Sequence, residues 1–280
     1  MKKQLILIAD MEGASGIFES NVEAIYHGSN LWRNMGRQYL TSDVLAVCEA
    51  ATECGIDEIL LYDGHYAGDA EFNVIIEQLP NNVRIFDTPN RCFDWRRIRG
   101  QAESNPFGLI TVGQHARNGE PWAYFPHTIQ TPPIKSLFVN KMHIAEIGQG
   151  TLSFCGTKYL ANIGCHASHK EAKEISENVT CITVKNKATG WEPSPIETYQ
   201  IIKSGVMEAI RTIDKRDVIS IGELCDFYME LTEGYYFVPS EVFPWKGNFT
   251  ETTAKWESPD IEIGLELFNY VRGFIKKKSK

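Results

Sequence analysis

Near the start of the chain the aliphatic run Leu5-Ile6-Leu7-Ile8 gives way to Asp10-Met11-Glu12-Gly13, with Gly16 close behind. A short uninterrupted apolar run of this kind makes a parallel strand buried on both faces. Side chains two residues apart on extended backbone point the same way, so Asp10 and Glu12 converge beyond the strand's carboxyl end. Open α/β sheets bind their ligands at that end. Two converging carboxylates repel each other unless a proton or a cation lies between them, which makes a metal site the sharper reading. The plainer reading is that acidic residues at a strand end cap the helix that follows.

Strand-like runs alternate with amphipathic stretches through the first half of the chain. After Leu5–Ile8 come a helix over Arg37–Glu53, with Leu40, Val44, Val47, Cys48 and Ala51 on one face, and a strand over Glu58–Tyr62. A short helix over Phe72–Leu79, a strand at Val83–Phe86, a polar helix or turn at Asp94–Arg99 and a strand at Leu109–Val112 follow. Ile134–Val139 and Met142–Ala145 flank Asn140-Lys141 as a hairpin whose turn lacks its usual glycine. A helix from Glu146 to about Tyr159, a weak strand at Leu160–Ile163, a helix at Lys170–Ile175, a strand at Cys181–Val184 and a helix at Ile196–Ile213 complete this part. Such alternation predicts an α/β fold, a mostly parallel sheet sandwiched by helices. Strands near Phe227–Leu231 and Thr252–Trp256, closed by a helix over Ile261–Ile275, predict a smaller C-terminal α+β lobe. The division falls near Arg216, into residues 1–215 and 216–280, the alternative being a single domain.

Composition narrows the function. At 280 residues and 43% hydrophobic, the chain has ample material for a packed core. A net charge of −8 argues against a nucleic-acid binder, which needs a clustered positive surface. The basic tail Lys276-Lys277-Lys278-Ser279-Lys280 reads as a solvated end. Lys2-Lys3 before Leu5–Ala9 has the outline of a signal peptide, but the apolar run is too short and acidic residues follow at once. No stretch is long enough to span a bilayer. Seven cysteines, at 48, 54, 92, 155, 165, 181 and 225, include no CxxC pair. That pattern suits free thiols in a reducing cytoplasm.

The strand ends carry the chemistry. The first expected strand ends in Asp10 and Glu12, the second in His65, the fourth in His115, and the hairpin runs into Glu146. In a parallel sheet such ends share one rim, so residues distant in sequence become neighbours. Three carboxylates and two imidazoles without a thiolate suit zinc, manganese or iron. Five ligands exceed what one tetrahedral zinc needs and serve two metals if one carboxylate bridges; Asp10, the most internal, is the candidate bridge. Each member also has an ordinary structural explanation: a hydrogen-bonded surface histidine, or for Glu146 a place in a helix's first turn.

The motifs resemble the D-aminopeptidase DppA family, peptidase family M55. Asp10-Met11-Glu12-Gly13 with Gly16, Asp63-Gly64-His65, Gly113-Gln114-His115-Ala116-Arg117, His127-Thr128 and Ala145-Glu146-Ile147-Gly148 match it in order and spacing. The likeness is good over roughly residues 4–150, followable to about 215, and beyond that only a general pattern. It implies an α/β domain in which an aspartate bridges two zinc ions held by Asp10, Glu12, His65, His115 and Glu146, with His127 as the catalytic histidine. It also implies a ring-like homo-oligomer, a decamer among the candidate sizes, that encloses its active sites. Two segments depart from the family. Arg117–Pro126 carries Glu120, Trp122, Tyr124 and Phe125 instead of a Thr-Pro-Gly type of sequence, and Gly164-Cys165-His166 stands where relatives are often acidic. Both bear on the substrate pocket and on D-selectivity.

The implied reaction is removal of the N-terminal residue from a short peptide or amino-acid amide. His127, with a near-neutral pKa, would act on the attacking water or on the tetrahedral intermediate. Without the resemblance, the plainer reading is a histidine packing beside Phe125. Arg117 could pair with a substrate carboxylate or form a structural ion pair. His27, His143, His166 and His169 stand outside the expected site. The alternatives are a dimetal phosphoesterase and a metal-stabilised, non-catalytic binding module.

Overall fold

The computed structural model describes residues 2–66, 71–87, 94–222, 224–238 and 247–278. Its centre is a six-stranded parallel sheet. In chain order these strands are β1 (Gln4–Ala9), β2 (Glu58–Asp63), β3 (Val83–Ile85), β4 (Gly108–Gln114), β7 (Tyr159–Cys165) and β8 (Thr180–Lys185). They lie side by side as β3-β2-β1-β4-β7-β8. Every residue of β1, β4 and β7 is buried, as two-sided coverage requires.

The period of two along β1 divides the core. Leu5, Leu7 and Ala9 face a layer formed by α1 (Arg37–Glu53) and α5 (Pro195–Arg211), including Leu40, Val44, Val47, Ile202 and Val206. Ile6 and Ile8 face the other way, into a second core. There α2 (Trp95–Gln101), α3 (Glu146–Leu152), α4 (His169–Ile175) and α6 (Ile261–Arg272) pack with an antiparallel sheet. That sheet runs β11 (Gly247–Phe249), β12 (Thr253–Ser258), β9 (Cys225–Leu231), β5 (Ile134–Val139), β6 (Met142–Ile144). The hairpin of the middle segment and the C-terminal strands thus form one sheet. Alternate residues Phe227, Met229 and Leu231 of β9 are buried against the shared core.

Local chemistry explains the boundaries. The helix over Arg37–Glu53 forms as the periodicity predicts. Ser194 and Glu197 make a reciprocal cap for α5, with Pro195 in its first turn, and the Asp260 carboxylate accepts from Ile263 N at the start of α6. In the β5–β6 turn both Asn140 (φ +48°) and Lys141 (φ +69°) are left-handed, the geometry of a tight hairpin. Asn140 tolerates this because its side chain bonds Ile221 O and accepts from Asp226 N.

Four expected elements differ. Residues 72–79 form only a 3-10 turn at Ile76–Gln78. The buried Asp63 carboxylate holds the amides of Asn73 and Val74 and Thr41 holds that of Ile75, and the backbone is extended at Ile75 and again at Leu79, which confines the helical part to one turn. The helix from Glu146 stops at Leu152 rather than near Tyr159, because Gly156 turns left-handed (φ +92°) and Tyr159 is already in the sheet. Leu160–Ile163 is no weak strand but the middle of a seven-residue buried one; the small and polar Ala161, Asn162 and Gly164 disguise it in sequence. The last helix ends at Arg272, and Ile275–Lys277 forms β13 against β10 (Tyr235–Phe237). The tail lysines 276 and 277 are therefore exposed but held in a strand; Ser279 and Lys280 lie outside the described residues. No helix is long and apolar enough to cross a membrane among the described residues. The six described cysteines are free, and Cys92 lies outside them.

Candidate metal centre

Strand order reverses between β1 and β4. The chain leaves β1 toward β2 and β3 on one side and continues from β4 to β7 and β8 on the other, the topology that places a ligand crevice at the carboxyl ends. The loops there are laced together by backbone. Asp10 N donates to Val112 O (2.9 Å), Gly13 N to Gly113 O (2.8 Å) and Gly64 N to Ala9 O (2.8 Å). Such close approach leaves no room for side chains. A Cβ on Gly13 would stand 1.8 Å from Gln114 O, and one on Gly113, itself left-handed at φ +71°, 1.9 Å from Asp10 O.

Into this crevice the structure brings Asp10, Glu12, His65, His115, Glu146 and His127. His65 Nδ1 lies 3.0 Å from Glu12 Oε2 and 3.6 Å from Asp10 Oδ1. His115 Nε2 lies 3.4 Å from Asp10 Oδ2 and 3.3 Å from Glu146 Oε2. His127 Nε2 lies 3.3 Å from Glu146 Oε1 and 3.9 Å from Glu12 Oε1, and its ring stacks on His115 with centroids 3.9 Å apart. Each imidazole is oriented by a carbonyl, which can only accept. His65 Nε2 donates to Ile25 O, His115 Nδ1 to Ala116 O and His127 Nδ1 to Phe125 O. The other nitrogen of each ring therefore turns its lone pair inward. Neither Asp10 nor Glu12 caps a helix; the next helical turn, Glu19–Ile25, starts from Phe18.

The electrostatics favour a cation. Burial, with the Glu12 charge beside it, pushes the Asp10 carboxyl up to about 6. Burial also raises Glu12 and Glu146, but His65 outweighs it for Glu12 and His115 for Glu146, holding both well below the usual range. Burial would lower His65 and His115; Glu12 and Glu146 respectively drive them well above an ordinary imidazole. His127 is raised against its burial and the His115 charge, chiefly by Glu146. Asp10 Oδ2, Glu12 Oε2, His115 Nε2 and Glu146 Oε2 are buried with no hydrogen-bond partner. Buried polar atoms in such number call for a compensating charge. A divalent cation would supply it and would leave the imidazoles neutral as ligands. The donors fall into two groups able to hold an ion, Asp10–Glu12–His115 and His115–His127–Glu146.

The remaining expectations sort themselves by contact. Arg117 forms a structural ion pair: its guanidinium bonds both oxygens of Glu174 (2.6 and 2.8 Å) and Glu120 (2.9 Å). Glu120 also meets Lys170. His169 is bonded to Asn162 and Thr183, and His143 stacks on Phe138, both away from the cluster. In the departing loop Tyr124 is buried and bonds Glu192, while Trp122 is exposed with φ +56°. Two residues escaped the reading of the sequence. Glu171 Oε1 accepts from Ala145 N and Gly148 N, the amides flanking Glu146. Lys185 is fully buried and bonds the carbonyls of Glu12, Ala14 and Ile17. A lysine closing the apolar run Ile182–Val184 is the sole sequence signal for the second; the first has none.

A crevice of carboxylates and imidazoles at the switch point of a parallel sheet defines a metal-dependent class of α/β protein. The chain belongs to the D-aminopeptidase family, peptidase family M55, whose model matches residues 4–270. Its structure is similar to that of the Zn-dependent D-aminopeptidase DppA from Bacillus subtilis, a self-compartmentalizing protease. The two agree with a TM-score of 0.79 over 97% of each chain at 18% sequence identity, a likeness of fold. No curated protein sequence matches the chain.

Proposed function

We propose that this protein is a zinc-dependent aminopeptidase that binds two zinc ions and removes the N-terminal residue, preferentially a D-residue, from short peptides or amino-acid amides. The observation that carries the reading is the set of four orphaned buried atoms, on Asp10, Glu12, His115 and Glu146, within one small volume. Membership of the D-aminopeptidase family supports the reaction, and the zinc dependence of the similar DppA supports the metal. Asp10 turns one oxygen toward His65 and the other toward His115, and would be the carboxylate shared by the two ions. Glu12 and His65 would complete one side, His115 and Glu146 the other.

Bound zinc supplies Lewis acidity, polarising the scissile carbonyl and acidifying water. The chain's own part is orientation and proton transfer. His127 gives its Nδ1 proton to the Phe125 carbonyl in a hydrogen bond, so Nε2 faces the crevice as the base. It takes a proton from the attacking water and returns it to the departing amine. Its stacking on His115 and its contact with Glu146 hold it in place. A substrate must also present a free α-amine to a metal or a spare carboxylate, which makes the enzyme an exopeptidase. The self-compartmentalizing description of DppA supports a ring-like homo-oligomer here, with active sites facing an enclosed space.

The test is turnover of zinc-loaded protein on matched L- and D-aminoacyl amides, their N-acetylated forms and phosphoesters. Free D-aminoacyl substrates should be cut and acetylated ones spared. Equal cleavage of acetylated substrates overturns the exopeptidase assignment, and phosphoester hydrolysis without amide hydrolysis identifies a phosphoesterase. Bound zinc with no turnover identifies a binding module.

A further inference from the structure

Lys185 ends β8, the edge strand on the β4 side of the switch point, and none of its surface is exposed. An ammonium has three donors and no acceptor. All three are matched: Nζ lies 2.6 Å from Glu12 O, 2.9 Å from Ala14 O and 2.5 Å from Ile17 O. Three carbonyls converge from six consecutive residues of a buried turn; Ala14 O also accepts from Ile17 N, whereas Lys185 is the partner of Glu12 O and Ile17 O. A compact cation on a long stem suits that place; a planar guanidinium does not.

The same ammonium faces three aromatic rings, Phe18 at 5.7 Å, Tyr124 at 5.3 Å and Phe125 at 5.8 Å to their centroids. Phe18 follows the turn directly. Tyr124 and Phe125 belong to the loop that delivers His127, and Phe125 O is the group that orients the His127 ring. Cation–π attraction of this kind is favourable for a buried, desolvated charge. Glu12 is thus tied to Lys185 through its own carbonyl and His127 through its neighbour's ring. Two loops more than 100 residues apart in sequence meet on one atom.

We propose that Lys185 is a positioning residue of the metal centre, fixing the Glu12 carboxylate and the His127 imidazole relative to each other. The proposal rests on the metal-centre reading above, and its failure is separable from failure of that reading. Ordering by groups behind the ligands is commonly worth a factor of ten or more in affinity or rate. Lys185→Met keeps the length of the stem and removes the charge.

The experiment compares wild type and Lys185→Met by chelator competition for zinc, by the visible spectrum of the cobalt(II)-loaded protein, and by kcat and KM. Wild type that binds neither metal refutes the metal centre itself. Given metal binding, Lys185→Met should bind zinc about 10–100-fold more weakly, shift the cobalt bands and lower kcat more than KM changes. A variant that loses thermal stability but keeps zinc affinity, cobalt spectrum and kcat overturns the proposal. If Lys185→Met does not fold, Phe18→Leu decides, because Phe18 is only half-buried and its loss leaves the three carbonyl bonds intact. A shifted cobalt spectrum and a several-fold lower kcat support the proposal; wild-type values for both overturn it.

Discussion

Adding one methyl group beside Asp10 measures how tightly the sheet's switch point holds the metal centre. Gly113 and Gly55 share left-handed backbone, with φ of +71° and +77°, so replacement by alanine costs each about 1–2 kcal/mol from conformation alone. Their surroundings differ. A Cβ at Gly55 meets nothing within 4 Å, whereas at Gly113 it would lie 1.9 Å from Asp10 O and 2.8 Å from Asp10 C. Ordinary contact begins near 3.4 Å, and the clash is with backbone, so Asp10 or β4 must give by roughly 1.5 Å. The bonds from Asp10 N to Val112 O and from Gly13 N to Gly113 O lie in the path of that movement. We predict that Gly55→Ala loses about 1–2 kcal/mol in urea unfolding and keeps normal zinc affinity and turnover. Gly113→Ala should lose more, bind zinc at least about tenfold more weakly and turn over about 10²-fold more slowly, as an ångström of misplacement implies. If the two variants are indistinguishable in zinc affinity and kcat, the lacing of the loops does not position Asp10 and the reasoning fails.

Two further outcomes follow from particular side chains. His127→Ala should retain fold and zinc while kcat falls about 10²–10⁴-fold, as loss of an acid–base group implies; zinc loss by elemental analysis would instead make His127 a ligand beside His115 and Glu146. Burial, aided by the nearby His166 and Lys173, pushes His169 down to about 3. The unfolded chain, with an imidazole near 6.5, then binds more protons between these values, so this residue's contribution is intact above 6.5 and lost as pH falls toward 3. The loss reaches about 2–3 kcal/mol by pH 4.5. Unfolding of His169→Gln should show a flatter acid limb, and an unchanged pH dependence would contradict the buried neutral imidazole.

How much the sequence discloses depends on which groups do the work. Asp10, Glu12, His65, His115 and Glu146 are legible because side chains at strand ends share a rim whatever the loops between them do. The helix over Arg37–Glu53 is legible because its apolar face repeats at helical spacing. Lys185 is not, since its partners are three backbone carbonyls, which have no signature in the residues that carry them. Nor is the failure of residues 72–79 to form a helix, since contacts from outside the segment, Asp63 to the amides of Asn73 and Val74 and Thr41 to that of Ile75, accompany extended backbone at Ile75. The pairing of β5 with β9 is a long-range choice between chains of similar pattern. Asn140 helps to make it by binding the backbone at Ile221 and Asp226.

Elemental analysis after zinc loading and removal of free metal reads the proposed two-ion centre, and its sharing of Asp10, from the metal content alone. Wild type should hold two zinc ions per chain and Asp10→Ala none, whereas Glu12→Ala should keep one. Fewer than one ion per wild-type chain, or an Asp10→Ala variant that still holds two, would contradict the shared centre.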